Sequence, residues 1–192
     1  MRVILASGSP RRKALLAELG MNFEVWKPDA DESHSPDEAP EGLCVRLSRL
    51  KAEAGARAFP EALVIAADTI VVAGGQVLGK PEDRQDAARM LGLLEGREHE
   101  VITGVCVHYG GKVLSHAEHT TVKFRHLTSG EIAAYVATGE CDDKAGAYAV
   151  QGRGSLLIEG LKGDYFNVVG LPVCALGKML GELGVKLESL LS

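Results

Sequence analysis

Residues 3–20 read VILASGSPRRKALLAELG, and this stretch decides the fold class. The apolar run 3–6 breaks at SGSP. The following segment repeats Leu15, Leu16 and Leu19 at helical spacing, so the order is strand, tight loop, helix. Ser9 suits the N-cap, Pro10 the first helical position and Gly20 the stop after the last turn. Outward from this unit, a second strand is predicted over 23–26, followed by an acidic, Pro- and Ser-rich loop over 27–41. A helix with Leu43, Leu47, Leu50 and Ala54 on one stripe is predicted over 42–58. The nearly continuous apolar run 63–72 reads as a buried strand that turns at Gly74 and Gly75 into a hairpin ending at Leu78.

Further along, Asp83 caps a helix through Leu94, and two long strands, 99–109 and 112–124, flank Gly110 and Gly111. Thr128 and Glu131 form a capping box for a helix to Ala137. The glycine-rich stretch 139–163 contains strand-like pieces at 147–150 and 155–158, and a last helix spans 172–183. Strands and helices alternate first and hairpins dominate the middle. The expected fold is therefore α/β, with a central mixed, curved sheet flanked by helices and two lobes around a cleft. No linker interrupts the pattern, so residues 1–192 are read as one domain.

Composition sets limits on function. Of 192 residues, 46% are hydrophobic and 24% charged, the balance of a folded protein with a real core. The net charge of −5 argues against a nucleic-acid partner, which a basic field would attract. No apolar run approaches the ~18 to 20 residues that span a bilayer, and the run before SGSPRR is too short for a signal peptide. No membrane partner is expected, and the expected compartment is cytoplasmic. Four cysteines lie far apart without a Cys-x-x-Cys pair, so neither a zinc site nor a disulfide framework is indicated. No Walker A loop or GxGxxG follows a strand.

Several positions conflict with simple structural roles. Arg11 and Arg12 fall in the first turn of a helix, where the dipole disfavours cations by up to ~1 kcal/mol. An anion held by loop amides, serine hydroxyls and guanidinium groups resolves this, and an ordinary Ser-Pro cap with solvated arginines is the alternative. Asp68 interrupts an apolar strand, where an ionised carboxylate is costly unless it is paired, metal-bound or open to a cleft. A strand-end aspartate bonding local amides is the alternative there. Thr69 faces the other side of a regular strand. Lys51 sits at the edge of its helix stripe and Lys80 lies in GKP; each is read either as a solvated lysine or as a phosphate ligand. Asp29, Asp31 and Glu32 are a solvated loop or oxygen ligands for a hard divalent cation. Tyr148 and Gln151, in DKAGAYAVQG, suit either glycine-loop packing or recognition of a base edge.

Seven blocks in order complete the reading: SGSPRR at 7–12, RLSRLKAEA at 46–54, ADTIV at 67–71, GKP at 79–81, ITG at 102–104, DKAGAYAVQG at 143–152 and VVGLP at 168–172. Together they resemble the Maf family of nucleoside triphosphate pyrophosphatases across essentially the whole chain. The resemblance implies a fold like that of the Maf and inosine triphosphatase proteins, usually a homodimer. It implies a divalent metal, Mg or Mn, and cleavage of a nucleoside triphosphate substrate between the α and β phosphates. It assigns Asp68 as the proton acceptor, with Asp68 and Glu32 on the metal. Ser7, Arg11, Lys51 and Lys80 fall on the phosphates. Arg12, Thr69 and Gln151 match the branch that resembles dTTP/UTP pyrophosphatases, whereas the branch acting on 7-methyl-GTP differs at all three. A nucleotide-binding regulator without turnover is the rival class, and the presence of Asp68, Lys51 and Lys80 favours catalysis.

Overall fold

A computed structural model of the chain describes residues 1–29, 33, 38–186 and 188. The strands are β1 (Val3–Ala6), β2 (Glu24–Trp26), β3 (Leu63–Ala73), β4 (Gln76–Leu78), β5 (Glu98–Tyr109), β6 (Lys112–Phe124) and β7 (Ile158–Lys162). The helices are α1 (Pro10–Glu18), α2 (Pro40–Ala58), α3 (Arg84–Leu94), α4 (Ser129–Ala137), α5 (Tyr165–Val169) and α6 (Val173–Glu182). The strands make one seven-stranded sheet in the order β2-β1-β3-β5-β6-β7, with β4 paired to β3. It is mixed: β1 runs parallel to β2 and β3, while β4 on β3 and β7 on β6 are antiparallel. Among the described residues no helix is long and apolar enough to cross a membrane.

Two compact units compose the chain. The first holds Met1–Asp68, Thr103–Glu118 and Gly170–Ser192, and the second holds Thr69–Ile102 and His119–Val169. In the first, α1 begins as the sequence requires: the Ser9 side chain accepts from the Arg12 N–H, and Pro10 occupies the first turn. It ends in a Schellman motif in which Gly20 (φ 73°) donates to the Ala17 carbonyl and Met21 to that of Leu16. Helix α2 starts two residues earlier than its apolar stripe indicates, because Pro40 is pre-organised for a first-turn position. Ala52 and Ala56 on α2 pack with Ile4, Ala6, Val64 and Cys106.

Two glycines let α2 lie close to the strands. A Cβ on Gly55 would stand 2.7 Å from Val64 Cγ1, and one on Gly104 would stand 2.3 Å from the Cys44 carbonyl oxygen. The ITG block is thus a packing requirement: at Gly104 the helix backbone itself occupies the space of a side chain.

In the second unit, Leu91, Leu94, Val122, Phe124 and Tyr148 are central to the core. His99 is buried beside them, its Nε2 is 2.8 Å from the Tyr148 hydroxyl, and burial pushes its pKa down to about 4. The capping box of α4 forms as predicted, with the Thr128 side chain on the Glu131 N–H and Glu131 on the Thr128 N–H.

The glycine-rich stretch differs from the sequence expectation. Where strand-like pieces were expected at 147–150 and 155–158, the chain makes short 3-10 turns at Ala145–Ala147 and Gly152–Leu157, and the strand begins only at Ile158. The cause is local: Gly146, Ala147 and Gly152 have φ of 69°, 59° and 71°, which winds the backbone out of the extended region. Helix α5 was also not expected. The Asp164 side chain accepts from the Phe166 N–H at 2.8 Å, and Asn167 donates to the Val101 carbonyl and to Thr120 Oγ1.

Candidate active site

The first unit holds Ser7, Arg11, Arg12, Lys51 and Asp68 of the predicted site residues. Asp68 lies within β3, where five fully buried residues give way to half-buried ones. Lys51, on α2, is 8% exposed, and its Nζ donates to Asp68 Oδ1 at 2.6 Å. An ammonium buried this deeply needs a partner, and so does the carboxylate interrupting the apolar strand; each supplies the other's. The contact follows from α2 lying close to the strands at Gly55 and Gly104. Cys44 belongs to the same corner: burial, and then the charge of Asp68, push its thiol up to about 12. It is an apolar wall rather than a nucleophile.

The SGSPRR loop is held from within. The Ser7 hydroxyl accepts from the Ser9 N–H at 3.2 Å and from Arg12 Nη1 at 3.1 Å. Arg12 Nε donates to the Gly170 carbonyl at 2.7 Å. Both side chains are buried. The two adjacent arginines therefore differ: Arg12 turns inward and ties the loop to the start of the GLP segment, while Arg11 stays half-buried. The lysine at 27, which sequence reasoning passed over, lays its aliphatic stem along Gly8, 3.3 Å from where a Cβ would stand. Its only sequence signal is that it directly follows β2, the neighbour of β1.

The second unit holds Thr69, Lys80 and Gln151. Thr69 is half-buried, and Lys80 and Gln151 are exposed. The Gly79 carbonyl accepts from the Gly146 N–H at 3.0 Å, so the GKP turn and the DKAGAYAVQG segment are joined through backbone. A Cβ on Gly146 would meet Val71 at 3.0 Å, which fixes that segment against β3. Glu32 lies outside the described residues. Among the described residues no group of three or more His, Cys, Asp and Glu side chains gathers as a metal cage.

The profile of the family described as Maf-like protein matches residues 2–183. The chain belongs to this family. It is 50% identical over 187 residues to a protein of Moorella thermoacetica named dTTP/UTP pyrophosphatase, covering 96% of each chain. It is 48% identical over 183 residues to a protein of the same name from Symbiobacterium thermophilum, covering 95% of this chain and 94% of that one. Among solved structures, the Staphylococcus aureus Ham1 protein is similar at 14% identity and a TM-score of 0.46, over 65% of this chain and 72% of its own. The Maf-like blocks now have places: SGSPRR is the loop entering α1, RLSRLKAEA lies on α2, ADTIV on β3 and ITG on β5. GKP follows β4, and DKAGAYAVQG winds through the 3-10 turns ahead of β7.

Proposed function

We propose that this Maf-like chain hydrolyses nucleoside triphosphates, dTTP and UTP in preference, to the monophosphate and pyrophosphate by attack of water at the α phosphorus. The observation that carries the reading is the Lys51–Asp68 contact at 2.6 Å, which couples a cation and a base on two of the matched blocks. The names of the relatives supply the substrate class.

A triphosphate brings several negative charges, and these compete with Asp68 for Lys51. As Lys51 turns to phosphate oxygens, the Asp68 carboxylate becomes available to accept a proton from water. The water oxygen bonds to the α phosphorus, the bond from that phosphorus to the α–β bridging oxygen breaks, and its electron pair leaves with pyrophosphate. Arg11, Lys51 and Lys80 neutralise the charge that builds on the transferred and leaving groups. Arg12 acts at one remove, since its guanidinium holds Ser7 and Gly170.

A divalent cation belongs to this reading. The carboxylate of Asp68 is the hard oxygen donor that Mg²⁺ takes, and such an ion completes its shell with water and phosphate oxygens, needing only one or two carboxylates. The second carboxylate in this reading is Glu32. When bound, the cation supplies charge neutralisation on phosphate oxygens. The reading also takes the chain as a cytoplasmic homodimer, which fractionation and light scattering check.

Thr69 and Gln151 are the base-reading residues. A uracil or thymine edge offers carbonyl acceptors and an N3–H donor, which a carboxamide matches in both directions. Such a contact discriminates by about 1–3 kcal/mol. The test is kcat/KM for UTP, dTTP, CTP, GTP and 7-methyl-GTP with Mg²⁺ or Mn²⁺. UTP and dTTP are expected to exceed CTP by about 10-fold or more. A preference for 7-methyl-GTP overturns the substrate assignment, and nucleotide binding without turnover overturns the catalytic one.

A further inference from the structure

Gln151 stands at the N-cap of the 3-10 turn Gly152–Leu157, yet its side chain makes no capping bond. The two amides that a cap side chain ordinarily takes, those of Arg153 and Gly154, are both occupied by another residue. Glu140 Oε1 accepts from the Arg153 N–H at 3.0 Å and Oε2 from the Gly154 N–H at 2.8 Å. On the other side of Gln151, the Ala149 N–H donates to the Tyr135 hydroxyl at 3.2 Å. One carboxylate and one phenol at the end of α4 therefore grip the backbone both before and after Gln151.

We infer that Glu140 is a positioning residue for base discrimination: by capping the turn in place of Gln151, it fixes the backbone there and leaves the Gln151 carboxamide for a nucleobase. The fit leaves no room for slippage. A Cβ on Gly152 would stand 2.4 Å from Glu140 Oε1, and one on Gly154 would stand 2.1 Å from the Ala149 carbonyl oxygen. Carboxylate-to-amide bonds are among the stronger hydrogen bonds, and losing one leaves a partly buried amide unmatched. The charge state agrees with this role. Desolvation raises the Glu140 pKa, but the Arg153 and Gly154 amides together with Tyr135 lower it further, leaving it below the ordinary glutamate value.

This inference rests on the reading of Gln151 as a base contact, so the test separates the two. Wild type, Glu140→Gln, Gln151→Ala and the double variant are compared in kcat/KM for UTP and CTP. Inhibition by inorganic tripolyphosphate, which has no base, serves as the control. A glutamine offers one carbonyl oxygen to two amides, so Glu140→Gln is expected to narrow the UTP-to-CTP ratio by about 10-fold. Tripolyphosphate inhibition should stay within about 2-fold of wild type, and adding Glu140→Gln to Gln151→Ala should narrow the ratio no further. If Gln151→Ala narrows the ratio and Glu140→Gln does not, or if the two effects add, the inference is wrong and the functional reading stands. An equal loss on both nucleotides with weakened tripolyphosphate inhibition shows a merely structural residue and also overturns it. A wild type without UTP preference overturns the functional reading itself, and this inference with it. Should Glu140→Gln fail to fold, Glu140→Asp keeps the charge with shorter reach and is read by the same ratio.

Discussion

Lys51 on α2 and Asp68 on β3 share a hydrogen bond of 2.6 Å, with their side chains 10% and 13% exposed. A pair this enclosed leaves a charge without its partner when either member is removed. Replacing Lys51 by Met is therefore expected to lower stability by about 3 kcal/mol or more and to raise KM for the triphosphate. Chemical denaturation and steady-state kinetics check this. Unchanged stability and KM would remove the pair from both the fold and the site.

Replacing Gly104 by Ala tests how α2 is seated. The new methyl would stand 2.3 Å from the Cys44 carbonyl oxygen, which belongs to helix backbone and cannot swing aside. The expected cost is at least about 1–3 kcal/mol, with loss of turnover because α2 carries Lys51. A melting temperature equal to wild type would show that the helix does not lie that close.

Arg12→Lys tests the inward arginine. Arg12 donates to Ser7 Oγ and to the Gly170 carbonyl in different directions, a fork that a single ammonium does not reproduce. Stability should fall by about 1–3 kcal/mol as a buried acceptor loses its donor. A variant as stable as wild type with altered base preference would show Arg12 acting on the base directly.

The capping box of α4 gives a pH prediction. Arg125, then the Thr128 amide and hydroxyl, hold the Glu131 pKa down to about 2. Because the folded value lies below the ordinary one, the contribution of this group is fully present above the ordinary glutamate range. It fades as pH falls toward about 2. A carboxyl carbon NMR titration of Glu131 with its midpoint near about 4.3 would contradict this. Independently, Thr128→Ala should cost about 0.5–2 kcal/mol.

Helix ends and long strands were legible in the sequence because short-range chemistry sets them. Ser9, Pro10 and Gly20 bound α1, Asp83 caps α3, and Thr128 with Glu131 caps α4, each acting within a turn of itself. The stretch 145–157 was not legible, because its apolar residues alternate like a strand while three positive-φ positions wind it up. The Glu140 carboxylate that holds it comes from outside the turn. At the site, Asp68 announced itself by standing in an apolar strand, but its partner Lys51 looked like an ordinary helix-edge lysine. Only the helix position set by Gly55 and Gly104 brings the two together. Arg12 was legible as unusual but not as buried, since its acceptor is the carbonyl of Gly170, far along the chain.

In the proposed reaction, water activated at Asp68 attacks the α phosphorus. Turnover of UTP in ¹⁸O-labelled water by wild type and Asp68→Asn, followed by ³¹P NMR, tests it most directly. Labelled UMP with unlabelled pyrophosphate is expected, with turnover about 10²- to 10⁴-fold lower in Asp68→Asn. Label in the pyrophosphate, release of orthophosphate with UDP, or wild-type turnover in Asp68→Asn would contradict it.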